Sequence, residues 1–147
     1  LIDVERLKEA LGLKDVVRAG WVLAGVENPE SVAAHSWGMA LLAIDMCPPE
    51  LNLQRVLELC ILHDLAEVRV GDLTPHDGVS KAEKHRMEAE AIQAFGPKAT
   101  EAFEEYEAQL TEESQFVKKL DKLDMALMAE VYEGRSGLDL SEFKQQI

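Results

Sequence analysis

Val56-Leu57-Glu58-Leu59-Cys60-Ile61-Leu62-His63-Asp64-Leu65-Ala66-Glu67 is the stretch that decides how this chain folds. An apolar helical run meets the pair His63-Asp64, and Glu67 follows one turn later. Ionisable side chains where a helix enters a core are costly unless something binds them. A divalent cation is the simplest such partner. His35 upstream and Asp121 downstream also stand in apolar helical stretches. Two imidazoles and two carboxylates make a donor set suited to a borderline transition metal.

Outward from that stretch, the chain reads as helices joined by short connectors. A stripe of Val4, Leu7, Ala10 and Leu11 predicts a helix from Asp3 to Leu11, stopped by Gly12. Leu13 to Pro29 is less periodic, and Gly20, Gly25, Asn28 and Pro29 mark it as a loop. A second helix is expected from Glu30 to Met46, and a third, capped by Asn52, from Leu53 to Val68. Gly71 to Gly78 is a loop rich in turn residues. Ser80 with Glu83 forms a capping box for a helix to Phe95, which Gly96-Pro97 breaks. A further helix is expected over Lys98 to Gln109. Thr111 caps a last long one to Glu133, ended by Gly134 and Gly137, and Ser141 starts a short turn. No stretch alternates strongly enough for a sheet, so the expected fold is all-α, a single-domain helical bundle over residues 1–147.

Charge and composition narrow the function. The 147 residues carry a net charge of -13, from 28 acidic against 15 basic side chains. Such a surface repels nucleic-acid polymers, and any phosphate site in it needs a local cation. No apolar run approaches a membrane span, and Asp3, Glu5 and Arg6 interrupt the N-terminal pattern, so neither membrane nor leader segment is expected. Cys47 and Cys60 form no CxxC, and a reduced, cytoplasmic setting is the default.

On a continuous helix His63 and Glu67 would share a face at about 40°, with Asp64 about 100° round from His63. His35 and Asp121 would come from neighbouring helices of a bundle. Phe116, Val117, Leu120, Leu123 and Leu127 mark the buried side expected for the Asp121 helix. Asp124, three residues on, is an alternative to Asp121. Taken singly, a helical His or Asp is most often a core, capping or solvated residue; the combination tilts the reading toward a metal. Glu67 and Asp72 bracket one short loop beside it, two carboxylates outside the ligand set that suit acid–base work.

The ordered set His35 … His63-Asp64 … Asp121 resembles the signature of the HD-domain phosphohydrolases. Pro29-Glu30-Ser31-Val32-Ala33-Ala34-His35-Ser36, His63-Asp64-Leu65-Ala66-Glu67, Gly71-Asp72-Leu73-Thr74-Pro75, Glu104-Glu105-Tyr106-Glu107 and Phe116 to Lys122 resemble its 5'-deoxynucleotidase branch. The resemblance runs from Arg18 to about Glu133 and implies an all-helical HD-type fold and a homodimer. It implies hydrolysis of deoxyribonucleoside 5'-monophosphates to deoxynucleoside and phosphate. The cofactor it implies is one divalent ion: cobalt or manganese, with zinc, iron, nickel and magnesium as other candidates. By this similarity His35, His63, Asp64 and Asp121 are metal ligands, Glu67 and Asp72 are catalytic, and Arg18 contacts the nucleotide. In some members a sugar-facing Trp directly follows the Arg; here Ala19-Gly20 intervene before Trp21. Two other readings stay open: an HD-type reaction on a cyclic nucleotide or a nucleoside triphosphate, for which Lys81 and Lys84 would supply cations, and a non-enzymatic helical interaction module.

Overall fold

The structure, a computed structural model, describes residues 2–145. Among the described residues eight α-helices follow one another: α1 Val4–Leu11, α2 Ala19–Leu23, α3 Val32–Met46, α4 Leu53–Leu62, α5 Glu67–Val70, α6 Lys81–Ile92, α7 Pro97–Ala108 and α8 Glu112–Ser136. Short 3₁₀ turns lie at Gly12–Asp15, Pro75–Asp77, Gln93–Phe95 and Ser141–Lys144. Among the described residues no strand forms, and the one bridge pairs Val17 with Ser31.

Helix starts follow side chains that accept backbone bonds. Asp3, Ser31, Asn52, Ser80 and Thr111 each accept from the N–H three residues on, at 3.0 to 3.2 Å, and open α1, α3, α4, α6 and α8. The box expected at Ser80 is half formed, because the Glu83 carboxylate turns to Arg86 instead. The second helix starts at Val32 rather than Glu30, since Arg18 N–H donates to the Glu30 carbonyl and Val32 N–H to that of Val16. The expected Leu13–Pro29 loop contains α2. α8 runs through Gly134 and stops at Gly137, whose φ of +75° is the left-handed conformation that ends helices.

The third helix departs most from expectation. It stops at Leu62, not Val68. The His63 ring N–H donates to the Leu59 and Cys60 carbonyls at 3.1 and 3.0 Å, in the turn where the α-helical spacing ends. The chain then tightens. Glu67 N–H reaches the Asp64 carbonyl at 3.0 Å and Val68 N–H that of Leu65 at 3.1 Å, both three-residue spacings. In such a turn residue i stacks on i+3. Glu67 is therefore aligned with Asp64, and the shared face expected for His63 and Glu67 does not exist.

α3 is the central helix, packed against α4 and α8. Met39, Ala43, Val56, Leu59, Cys60, Val117 and Leu120 form the middle of the core. One flank gathers Leu13, Val32, Ile92, Phe95 and Phe103; the other gathers Trp21, Val26, Ala129, Tyr132 and Leu140. On α8, Val117 and Leu120 are buried as expected, but Leu127 is exposed and Asp124 takes an inward position. Beyond Asp124 the buried positions of α8 shift to Ala126, Ala129 and Tyr132, which leaves Leu127 at the surface.

Candidate active site

His35 lies in the middle of α3 and is fully buried. Its ring spans two carboxylates of α8: Nε2 is 2.8 Å from Asp121 Oδ1, and Nδ1 is 2.6 Å from Asp124 Oδ2. Burial alone pulls its pKa down, but Asp121 and Asp124 outweigh that and raise it to about 9. Asp124 finds room because residue 38 is Gly; a Cβ there would collide with the Asp124 carboxylate.

His63 reaches the same place from the end of α4. With Nδ1 donating to two carbonyls, Nε2 is the free nitrogen. It lies 3.0 Å from Asp64 Oδ2 but out of line for a hydrogen bond, and is a buried nitrogen without a hydrogen-bond partner. Donor atoms of His35, His63 and Asp64 all lie within 4.8 Å of one another. The Asp121 carboxylate joins them through His35, and its Oδ2 accepts from the Tyr106 hydroxyl at 3.1 Å. The imidazoles are sealed, whereas the side chains of Asp64 and Asp121 keep 23% and 32% of their surface open, so this is the side from which a substrate arrives. An orphaned imidazole nitrogen among carboxylates fits a divalent ion of the borderline class.

Burial, joined by the Asp64 and Asp72 carboxylates, pushes the Glu67 pKa up. Burial also opposes charge on Asp64, yet His63 holds that carboxyl well below its usual range. Burial and the neighbouring carboxylates thus favour the protonated form of Glu67 over that of Asp64. Asp72 Oδ2 accepts from Ala19 N–H at 2.8 Å, which pins the Gly71–Gly78 loop to the start of α2 beside Arg18. Arg18 is half-buried among carboxylates. Burial lowers its pKa, but Asp121, Asp64, Glu30 and Asp72 raise it on balance, so it remains a cation. Trp21 is only 1% exposed and packs on Tyr132 and Phe143, with its indole N–H on Glu30 at 3.0 Å. It belongs mainly to the core and contributes one edge to a cavity of about 330 Å³ that Arg18, Glu67 and Asp72 also line.

All eight sequence candidates thus lie around one centre. Asp124 was in view only as an alternative ligand; the structure puts it behind His35, away from the cluster's open side. Its one-turn spacing from Asp121 was the available signal. Tyr106 was visible only inside a resembling segment, and Gly38 carried no signal beyond being small one turn after His35.

The sequence profile described as "HD domain" matches residues 10–147. The chain is 40% identical to the 5'-deoxynucleotidase hdd1 of Schizosaccharomyces pombe, over 89% of this chain and 73% of that one. It is 43% identical to the mouse 5'-deoxynucleotidase HDDC2 over 82% of its own length, and spans 65% of that relative. Among solved structures it is similar to a conserved hypothetical protein from Pyrococcus furiosus, at 37% identity and a TM-score of 0.85, over 97% of this chain and 90% of the other. The PH0347 protein from Pyrococcus horikoshii OT3 matches at 32% identity and a TM-score of 0.86, over 95% and 84% of the two chains. With the profile covering nearly its whole length, this chain belongs to the HD domain family.

Proposed function

We propose that this protein is a metal-dependent 5'-deoxynucleotidase, and that residues 1–147 act as one catalytic domain. The observation that carries the proposal is the unpartnered His63 Nε2 grouped with His35 and Asp64 donors beside the half-buried Arg18. Relatives similar over most of this chain bear the name 5'-deoxynucleotidase, which supports the same reading. His35, His63, Asp64 and Asp121 would hold the ion, with cobalt or manganese the first candidates. A bound divalent ion supplies Lewis-acid polarisation of the phosphate and acidifies water.

The chain's own residues do the rest. Arg18 offsets the phosphate charge that the acidic surface would repel. Asp72 fixes α2 through Ala19 and lies beside Glu67. Water adds to phosphorus and the P–O5' bond breaks. The departing 5'-oxygen takes the proton that Glu67 holds, the attacking water gives up a proton to solvent, and Glu67 is reprotonated from solvent, so the protons balance. The Trp21 edge bounds the space for the sugar.

A homodimer is supported by α3, where Trp37, Leu41 and Ile44 are 64%, 52% and 64% exposed along one face. A cytoplasmic setting is supported by two unpaired cysteines, one of them buried. No helix of the described residues is long and apolar enough to cross a membrane.

The deciding experiment chelates the protein, restores one metal at a time, and measures phosphate release from mono-, tri- and cyclic nucleotides in both sugar forms. Release from deoxyribonucleoside monophosphates only is the expected result. Release from triphosphates or cyclic nucleotides in preference would replace this reading with another HD-type reaction, and no release with any metal would favour an interaction module.

A further inference from the structure

Two cavities meet at the metal-ligand cluster. The Arg18 cavity has been described. The other, about 480 Å³, opens between α6, α7 and α8. Asp64, Asp121, Lys84 and Lys122 line both. Lys81 and Lys118 line only the larger one.

That larger cavity gathers cations in a chain of net charge -13: Lys81, Lys84, Lys118 and Lys122 are four of its nine lysines. Among the described residues none of the four forms an ion pair, whereas the acids around them are engaged or suppressed. Glu107 lies 3.1 Å from His85 Nδ1 and Asp121 2.8 Å from His35 Nε2, while Asp64 stands 3.0 Å from the His63 nitrogen with which it would share the ion. Glu88 is buried, and burial raises its pKa to about 7 against the pull of Lys84. The ring faces are also in use. Phe103 is buried under His85, and Tyr106 packs on His63 with ring centres 4.6 Å apart. Each of these rings has one face occupied within the protein. Four flexible ammonium point charges suit a compact polyanion.

The geometry points to this lysine cavity as a site for free inorganic phosphate, the route by which the product leaves. This rests on the nucleotidase reading in one respect. Arg18, Trp21 and Asp72 line only the other cavity, so the nucleoside would occupy that one, and the lysine cavity, joined to it at Asp64 and Asp121, is left for entering water and released phosphate.

The test is calorimetric titration of inorganic phosphate into the metal-loaded protein and into the Lys81→Gln/Lys118→Gln double variant. Both side chains are exposed and line only this cavity, so folding and the Arg18 side are left alone. Removing two charges is expected to weaken phosphate binding by about tenfold, while deoxynucleoside binding holds. Equal phosphate affinity in the two proteins overturns the proposal. A parallel titration with a deoxynucleoside triphosphate separates the sources of the anion. If the variant loses triphosphate affinity but keeps that for inorganic phosphate, the cavity holds a polyphosphate tail and the exit role is overturned. Failure of the nucleotidase reading would show separately, as absence of phosphate release from any deoxyribonucleoside monophosphate.

Discussion

The two imidazoles of the cluster are aimed by opposite means. His35, in mid-helix, is gripped at both nitrogens by side chains of another helix, Asp121 and Asp124. His63, at a helix end, is aimed by backbone carbonyls of its own last turn. A ring held by carboxylates can be loosened by substitution at a distance and by protons. A ring held by main-chain carbonyls stays aimed as long as the helix end exists. The two halves of one site should therefore fail differently.

The largest effects are expected on the His63 side, where nothing can substitute for the missing donor. His63→Ala or Asp64→Ala should abolish stoichiometric metal and lower turnover on the order of a thousandfold or more. Metal analysis of purified protein, together with phosphate release, reads both. Full metal content in Asp64→Ala would show that the ligand set is wrong. On the His35 side, Asp124→Asn keeps every proposed ligand and removes only the anion behind the ring. It should cost about 10–100-fold in metal affinity, with turnover recovered by excess metal. Gly38→Ala should act in the same direction, because its methyl takes the space of the Asp124 carboxylate. The double variant should then be little worse than the worse single one, whereas additive losses would mean that Gly38 matters for another reason.

Protons sharpen the contrast. In the ion-free protein two carboxylates raise the His35 pKa to about 9. A ligand imidazole must be neutral at the donor nitrogen, so below that pH a cation competes with a proton. From this one proton apparent metal affinity should fall by up to about tenfold for each unit that the pH drops below that value. Asp124→Asn removes one of the two anions holding that proton, and its affinity should level off at a lower pH. Titration with a metal-sensitive dye across this range reads the slope. A flat profile above neutral pH would mean that His35 does not carry the proton.

His35, His63, Asp64 and Asp121 were legible in the sequence because each stands in an apolar helical stretch, as His63-Asp64 does after Leu62; Glu67 and Asp72 stood out as carboxylates bracketing a loop, and Arg18 and Trp21 only through the family resemblance. Their mutual geometry was not. Helical periodicity extended α4 through Glu67, whereas the helix ends at Leu62 and the backbone bonds tighten to three-residue spacing. Periodicity counts residues and cannot register such a change of hydrogen-bond spacing. The same limit hid α2, whose five residues are too few for a repeat and whose start is fixed by Asp72, 53 residues away. Asp124 illustrates the converse. An acid was visible one turn from Asp121, but only the packing of α8 on α3 decides that it faces the back of His35.

Tyr106 is where the comparison makes its smallest and most discriminating prediction. Its hydroxyl donates to Asp121 Oδ2 while Asp121 Oδ1 faces His35, so it extends the side-chain grip on the α3 half by one more link. Burial, with Asp121 and Asp64 nearby, pushes the hydroxyl pKa up, which keeps it a donor. Its ring, meanwhile, packs against His63. Tyr106→Phe removes the link and keeps the ring, separating the two halves within one residue. Loss of one such bond is about 1 kcal/mol, so metal affinity should fall about fivefold. Tyr106→Leu removes the ring as well. If it is no worse than Tyr106→Phe, the backbone carbonyls alone hold His63 in place. A clear further loss would show that His63 also depends on side-chain packing, and the division between the two imidazoles would be one of degree.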